Sequence, residues 1–184
     1  MRTERGFTLI ELLVYMMLAT VVLLIVGGIL INSLKAEQTV RNSVEGADTG
    51  QLISQSVTKA VRNASAIRLT APATDSQLLT ARTTDATTGS VCRAWYYGAG
   101  EVRMTTSATA IPTPTATEAR TWTLLGENIR QVAGAPVFAL TGADRQVDLT
   151  LEAATGNGRP ILIKTSAFSR QPVPATGVET APCF

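Results

Sequence analysis

The run from Gly6 to Ile31, GFTLIELLVYMMLATVVLLIVGGILI, carries no charge except Glu11. As a helix rising ~1.5 Å per residue it reaches ~37 Å, enough to cross a ~30 Å hydrocarbon layer. Arg2 and Arg5 lie just before it. Excess Arg or Lys on the short flank of a span holds that flank in the cytoplasm. The expectation is a single-pass chain, N-terminus cytoplasmic, with everything after Asn32 exported.

Two features separate this run from an ordinary anchor. Glu11 sits about one helical turn inside it, where a carboxylate costs roughly 2.5–3.5 kcal/mol on insertion scales. It therefore needs a partner or a proton. A secretory signal peptide is cut after its apolar region, at small residues. Here the conspicuous small residue, Gly6, comes before the apolar run.

The string Gly6-Phe7-Thr8-Leu9-Ile10-Glu11-Leu12-Leu13-Val14 resembles the type III signal of type IV prepilins and type II secretion pseudopilins. The pattern is a short basic leader, Gly at the cut, Phe next, and Glu at the fifth mature position. The resemblance implies that a prepilin peptidase cleaves between Gly6 and Phe7 and methylates the new amine of Phe7. It also implies a fold: α+β, type IV pilin-like, a long N-terminal helix packed on an antiparallel β-sheet head. It covers about the first 30 residues only.

Composition narrows the chemistry of the remainder. Net charge is +2, which gives no electrostatic footprint for nucleic acid. Histidine is absent, removing the commonest general base and metal ligand. Two cysteines cannot make a four-thiolate zinc site. In an exported domain an even count reads as a disulfide, Cys92 to Cys183, closing a loop of about 90 residues. Two free buried thiols are the alternative. The sequence holds no GxSxG, phosphate-binding glycine loop, HExxH or CxxC. No catalytic residue, metal or cofactor is expected. Trp95-Tyr96-Tyr97 reads as partly core.

Four segments are expected: a cleaved leader over 1–6, a transmembrane and filament-core helix over 7–31, an amphipathic helix over 32–64, and a β-rich head over 65–184. In the amphipathic half, Val40, Val44, Ala47, Ile53, Val57, Ala60, Val61 and Ala64 recur at helical spacing. Arg41 and Glu45 are spaced i,i+4, while Gly46 and Gly50 weaken the case for an unbroken helix. Gly27-Gly28 is the place for any bend. Candidate strands are 66–70, 77–83, 91–97, 101–106, 121–125, 136–140, 146–151 and 161–168. Gly98-Ala99-Gly100 reads as a three-residue hairpin loop, and Gly156-Asn157-Gly158 marks a second hairpin. Segments 71–85 and 105–119, rich in Thr, Ala, Ser and Pro, are expected as surface loops. The proline-rich tail from Ser169 needs a pin, and Cys183 supplies one.

Glu11 is the functional group in this reading. The resemblance implies that its carboxylate meets the cationic amine of Phe7 on a neighbouring subunit, offsetting the cost of burial and fixing register. Implied partners are other pilin subunits, prepilin peptidase, an inner-membrane platform protein with its assembly ATPase, and the bilayer before assembly. The destination is an extracellular pilus or pilus-like filament. The head faintly resembles minor pilins of the PilW and PulJ type, which favours a minor subunit. The alternatives are a pseudopilin of a secretion or competence system and a single-span membrane-anchored binding protein that never polymerises. A DNA-uptake role requires Arg93 and Arg103 to share a strand face.

Overall fold

The computed structural model describes residues 8–85, 89–156, 159–172 and 183–184. The leader, Gly6 and Phe7, together with Asn157 and Gly158, lie outside them. Helix α1 runs Leu9–Arg62 without interruption, through both glycine pairs. The chain divides into two compact units, Met1–Arg41 and Asn42–Phe184.

In the first unit α1 carries no charge on any side from Leu12 to Ile31. Its most apolar window has a mean hydropathy of 2.7 and none of it is buried. Toward the end of the unit, Arg41 pairs with Glu37 at 2.8 Å rather than with Glu45. That pair has the acid N-terminal to the base, the order that suits the helix dipole.

In the second unit α1 buries one face, formed by Gly46, Gly50, Ile53, Val57, Ala60 and Val61. Val40, in the first unit, and Val44, in the second, are exposed, which corrects the expected stripe. The glycines replace them because backbone must come close to the sheet. A Cβ on Gly46 would stand 2.7 Å from Thr155 Cγ2, and one on Gly50 would overlap Ile163. The helix ends with Lys59 and Arg62 in its last turn and the Asn63 side chain donating to the Lys59 carbonyl at 2.9 Å.

Two antiparallel sheets follow. The first is a meander, β1 (Ala64–Ala73), β2 (Ser76–Asp85), β3 (Gly89–Gly98), β4 (Glu101–Ser107) and β5 (Thr123–Gly126), in that order. The second contains β6 (Ile129–Arg130), β7 (Phe138–Thr141), β8 (Gln146–Ala153) and β9 (Ile161–Phe168). In it β8 pairs with β9, and with both β6 and β7 at different points along its length. The two-residue β6 is too short for a periodicity to reveal, and the sequence reading misses it.

One core joins the helix to the inner faces of both sheets. Ile53, Val57 and Val61 meet Leu79, Trp95 and Val102 from the meander and Phe138, Leu149 and Leu151 from the second sheet. Trp95 is fully buried; its indole N–H donates to Ser56 Oγ at 3.0 Å, and the Ser56 hydroxyl donates to the Met104 sulfur at 3.7 Å. The sheets are tied by Gln77, whose side-chain amide accepts from the Phe138 N–H at 2.8 Å and donates to its carbonyl at 3.3 Å.

Three local expectations need correction. Gly98 pairs with Glu101, so the first hairpin has a two-residue loop. Ala99 and Gly100 both have positive φ, 52° and 78°, the conformation that matches strand twist in tight hairpins. Segment 71–85 is largely strand, with Leu78, Leu79, Thr80 and Ala81 buried in β2, because threonine suits a pleated surface and pairing with β1 on one side and β3 on the other overrides the weak strand preference of alanine. Segment 105–119 is not a free loop. It holds a short helix α2 (Ala116–Ala119), opened by a reciprocal cap between Thr115 and Glu118, and buries Ala119 against Tyr96 and Leu78. Trp122 meets the Tyr96 ring edge-on at 6.4 Å. Two hydrogen bonds from Thr115, first its backbone N–H and then its hydroxyl, hold the exposed Glu118 carboxyl below its ordinary range.

Candidate assembly site at the start of the helix

Glu11 lies in the first turn of α1. The Thr8 carbonyl accepts from the N–H groups of Glu11 at 3.1 Å and Leu12 at 3.2 Å, which closes that turn. A carboxylate beside the open N–H groups of a helix start gains about 0.3–1 kcal/mol from the dipole. That is well short of the roughly 2.5–3.5 kcal/mol an apolar surround imposes. Leu9, Ile10, Leu12, Leu13 and Val14 around it are all exposed. Among the described residues no side chain ion-pairs with Glu11; the ion pairs there are Arg41–Glu37 and Arg103–Glu101. Compensation for the charge must come from outside these residues.

The head carries the second expected feature. Cys92 and Cys183 are bonded, with a Cα–Cα separation of 5.3 Å, and both are buried. The bond lies on the face of the meander turned away from α1, where the Arg68 guanidinium sits 4.5 Å over the Phe184 ring. The start of the tail is pinned as well. Ser169 Oγ donates to the Ala64 carbonyl at 2.6 Å, and Arg145 Nη2 donates to Ser169 Oγ at 2.8 Å and to the Gln171 carbonyl.

Arg93 and Arg103 do not share a face. Arg103 is the cross-strand partner of Tyr96, whereas Arg93, two residues before Trp95, shares the Trp95 side of β3, opposite to Tyr96. Arg103 is also occupied: it donates to Glu101 at 2.7 Å and to the carbonyls of Arg120 and Trp122. It fastens the 108–122 strap, and the two arginines form no basic patch. Asp144 lies in the β7–β8 turn and Asp148 in β8, where Asp148 accepts from Ser166, Gln146 and Thr141. Among the described residues no three His, Cys, Asp or Glu groups converge as metal ligands.

An antiparallel α+β head after a helix whose most apolar window is unburied among the described residues fits a class of proteins held by one N-terminal helix in lipid or among other helices. Residues 1–27 match the prokaryotic N-terminal methylation motif, the prepilin-type motif. No curated protein and no solved structure matches the chain. The motif supports a type IV pilin-like or pseudopilin protein and marks structural subunits rather than enzymes. It implies processing by prepilin peptidase and assembly with pilin subunits. The apolar helix and the motif together fit membrane anchoring and pilus assembly.

Sequence reasoning missed Gly46 and Gly50 as contact positions. Their i,i+4 spacing on the buried side of an amphipathic helix was the available signal.

Proposed function

We propose that the protein is a minor subunit of a type IV pilus or pilus-like filament. It waits in the membrane as a single-span precursor with its N-terminus in the cytoplasm, covering residues 1–6 as leader, 7–31 as span, 32–64 as amphipathic helix and 65–184 as head. Prepilin peptidase cleaves between Gly6 and Phe7 and methylates the Phe7 amine. A platform protein driven by an assembly ATPase then lifts the subunit into an extracellular filament. The observation that carries this reading is the methylation motif on an apolar helix exposed on every side.

In this reading Glu11 sets the register. Stacked helices exclude water, so an unpaired carboxylate is costly, and only the stagger that brings a neighbour's Phe7 amine to it relieves the cost. Glu11→Val should leave the head folded and the precursor processed while filament incorporation falls at least about tenfold. Mass spectrometry of the mature chain should find methylated Phe7 first. An intact leader on functioning protein overturns the proposal, and so does normal incorporation of the Glu11→Val chain. Subunit abundance rivalling the shaft protein overturns the minor-subunit assignment.

A further inference from the structure

The 108–122 strap crosses the face of the meander turned away from α1 and leaves a cleft of about 290 Å³ between itself and β4. Thr105, the cross-strand partner of Ala94, lines the cleft from β4. Its apolar wall is formed by Ile111, Pro112, Pro114 and Trp122. Ile111 and Trp122 back onto the buried Leu78, Ala94 and Tyr96, and Pro114 is itself buried, so the wall has packing behind it. Hydrogen bonds hold the strap in place as well. Thr121 Oγ1 donates to the Glu118 carbonyl at 2.7 Å, and Arg103 donates to the carbonyls of Arg120 and Trp122. A cleft fixed in this way loses little freedom when a ligand enters it.

The polar groups around that wall are not used up within the chain. Trp95 gives its indole N–H to Ser56, whereas the Trp122 indole N–H and the Thr105 hydroxyl have no partner among the described residues. Glu118, which also lines the cleft, spends Oε2 on the Thr115 N–H at 2.7 Å and the Thr115 hydroxyl at 2.9 Å, and its Oε1 is unbonded among the described residues. Those two bonds keep the Glu118 carboxylate ionised at neutral pH. Among the described residues no Lys or Arg lines the cleft, so an anionic ligand would meet a like charge without a counter-ion. An acyl chain would cover the wall but strip water from the indole N–H and the carboxylate and offer them nothing in return.

We propose that this cleft binds a neutral hexopyranose unit. A sugar ring presents C–H groups on its faces and hydroxyls around its rim, which is the pairing this cleft requires. The C–H groups cover the Trp122 ring and the prolines. One hydroxyl donates to Glu118 Oε1 in a charge-assisted bond, and others exchange hydrogen bonds with the Thr105 hydroxyl and the Trp122 indole N–H. The volume lies just under the ~300 Å³ at which small-molecule pockets usually begin, so the cleft takes a single ring rather than a length of polymer. The site is made by β4 and the strap of one chain, and it stands whether or not the chain enters a filament.

The test uses the full-length chain in a zwitterionic detergent that carries no sugar. The methyl glycosides of glucose, galactose, mannose and N-acetylglucosamine are titrated in, and saturation transfer from protein to ligand is read by NMR. At least one of them should receive transfer. Glu118→Gln, which keeps the reciprocal cap with Thr115, should weaken that glycoside at least about tenfold, and Thr105→Val, which keeps a β-branched side chain in β4, about threefold or more. The methyl glucuronide should receive no transfer from the native chain and should gain it in Glu118→Gln, a reversal that a loosened strap would not produce. Transfer to none of the neutral glycosides overturns the site, as does transfer undiminished in both variants or a native chain that prefers the glucuronide. Binding of a proline-rich peptide or a fatty acid in place of the sugars overturns it too.

Discussion

Two stretches of the same helix obey different rules. From Leu12 to Ile31 α1 carries no charge on any side, and its most apolar window is unburied among the described residues. In Asn42–Phe184 it is mostly polar, and its narrow apolar face is covered by sheet. Each stretch has a glycine pair. Around Gly27 and Gly28 nothing lies within 4 Å of an added Cβ, whereas Gly46 and Gly50 would drive one into Thr155 and Ile163. One residue type thus serves two purposes: the second pair is fixed by packing inside the head, and the first by nothing among the described residues.

The largest effect should come from the head, which holds both its tail and its core by few elements. Replacing Cys92 and Cys183 with Ser should cost about 4–5 kcal/mol, since the bond spans a separation of 91 residues. Thermal unfolding of the full chain in detergent, with and without reductant, checks this. A cost under about 1 kcal/mol would mean that Ser169, Arg145 and Arg68 pin the tail without the bond. Trp95→Ala should follow at about 3–5 kcal/mol, because it empties the centre of the core and leaves Ser56 without its indole donor. Its effect belongs on the head's unfolding transition and should leave helix content of the apolar stretch intact.

The glycines compare the two stretches directly. Gly50→Val should destabilise by about 1–3 kcal/mol through overpacking against Ile163. Gly28→Ala should stabilise the isolated helix by about 1 kcal/mol, since space is open and glycine is the poorer helix former. If Gly28→Ala instead blocks incorporation while precursor levels stay normal, then Gly28 is a contact position in an assembly, as Gly50 is in the head. Circular dichroism and an incorporation assay separate these outcomes.

What was legible in the sequence divides along the same line. The apolar run, its basic flank and Glu11 could be read directly, because the requirements of a bilayer act on composition and length and need no tertiary partner. Strands β8 and β9 were also readable, since one face of each is covered and alternation survives. The helix face was misread at Val40 and Val44 because periodicity detects apolar side chains, while the sheet selects for small ones at Gly46 and Gly50. The segment from Thr105 to Ala119 looked like a loop because its Thr, Ala and Pro carry little hydrophobic signal. Its burial depends on Tyr96 and Leu78, which are distant in sequence. Arg93 and Arg103 could not be assigned faces until the two-residue turn fixed the register.

The smallest effects lie in ionisation of the head. The Asp148 carboxyl is held below its ordinary range, first by the Ser166 hydroxyl, then by the Gln146 amide and the Thr141 hydroxyl. A depressed acid stabilises the fold fully above its unfolded value of about 3.9 and loses that contribution as pH falls through the lower folded value. Asp148 is solvent-facing, so the contribution should stay under about 1 kcal/mol. Tyr97 is the mirror case. Burial, then the charge of Asp75, pushes its hydroxyl up, against the Gln131 N–H that lowers it. Its contribution is complete below about pH 10 and disappears as pH rises through the higher folded value. Asp148→Asn should therefore flatten the acid limb of a stability profile, and Tyr97→Phe the alkaline limb. An acid limb unchanged in Asp148→Asn would locate acid sensitivity in other carboxylates, with Glu118 and its Thr115 cap the next to test.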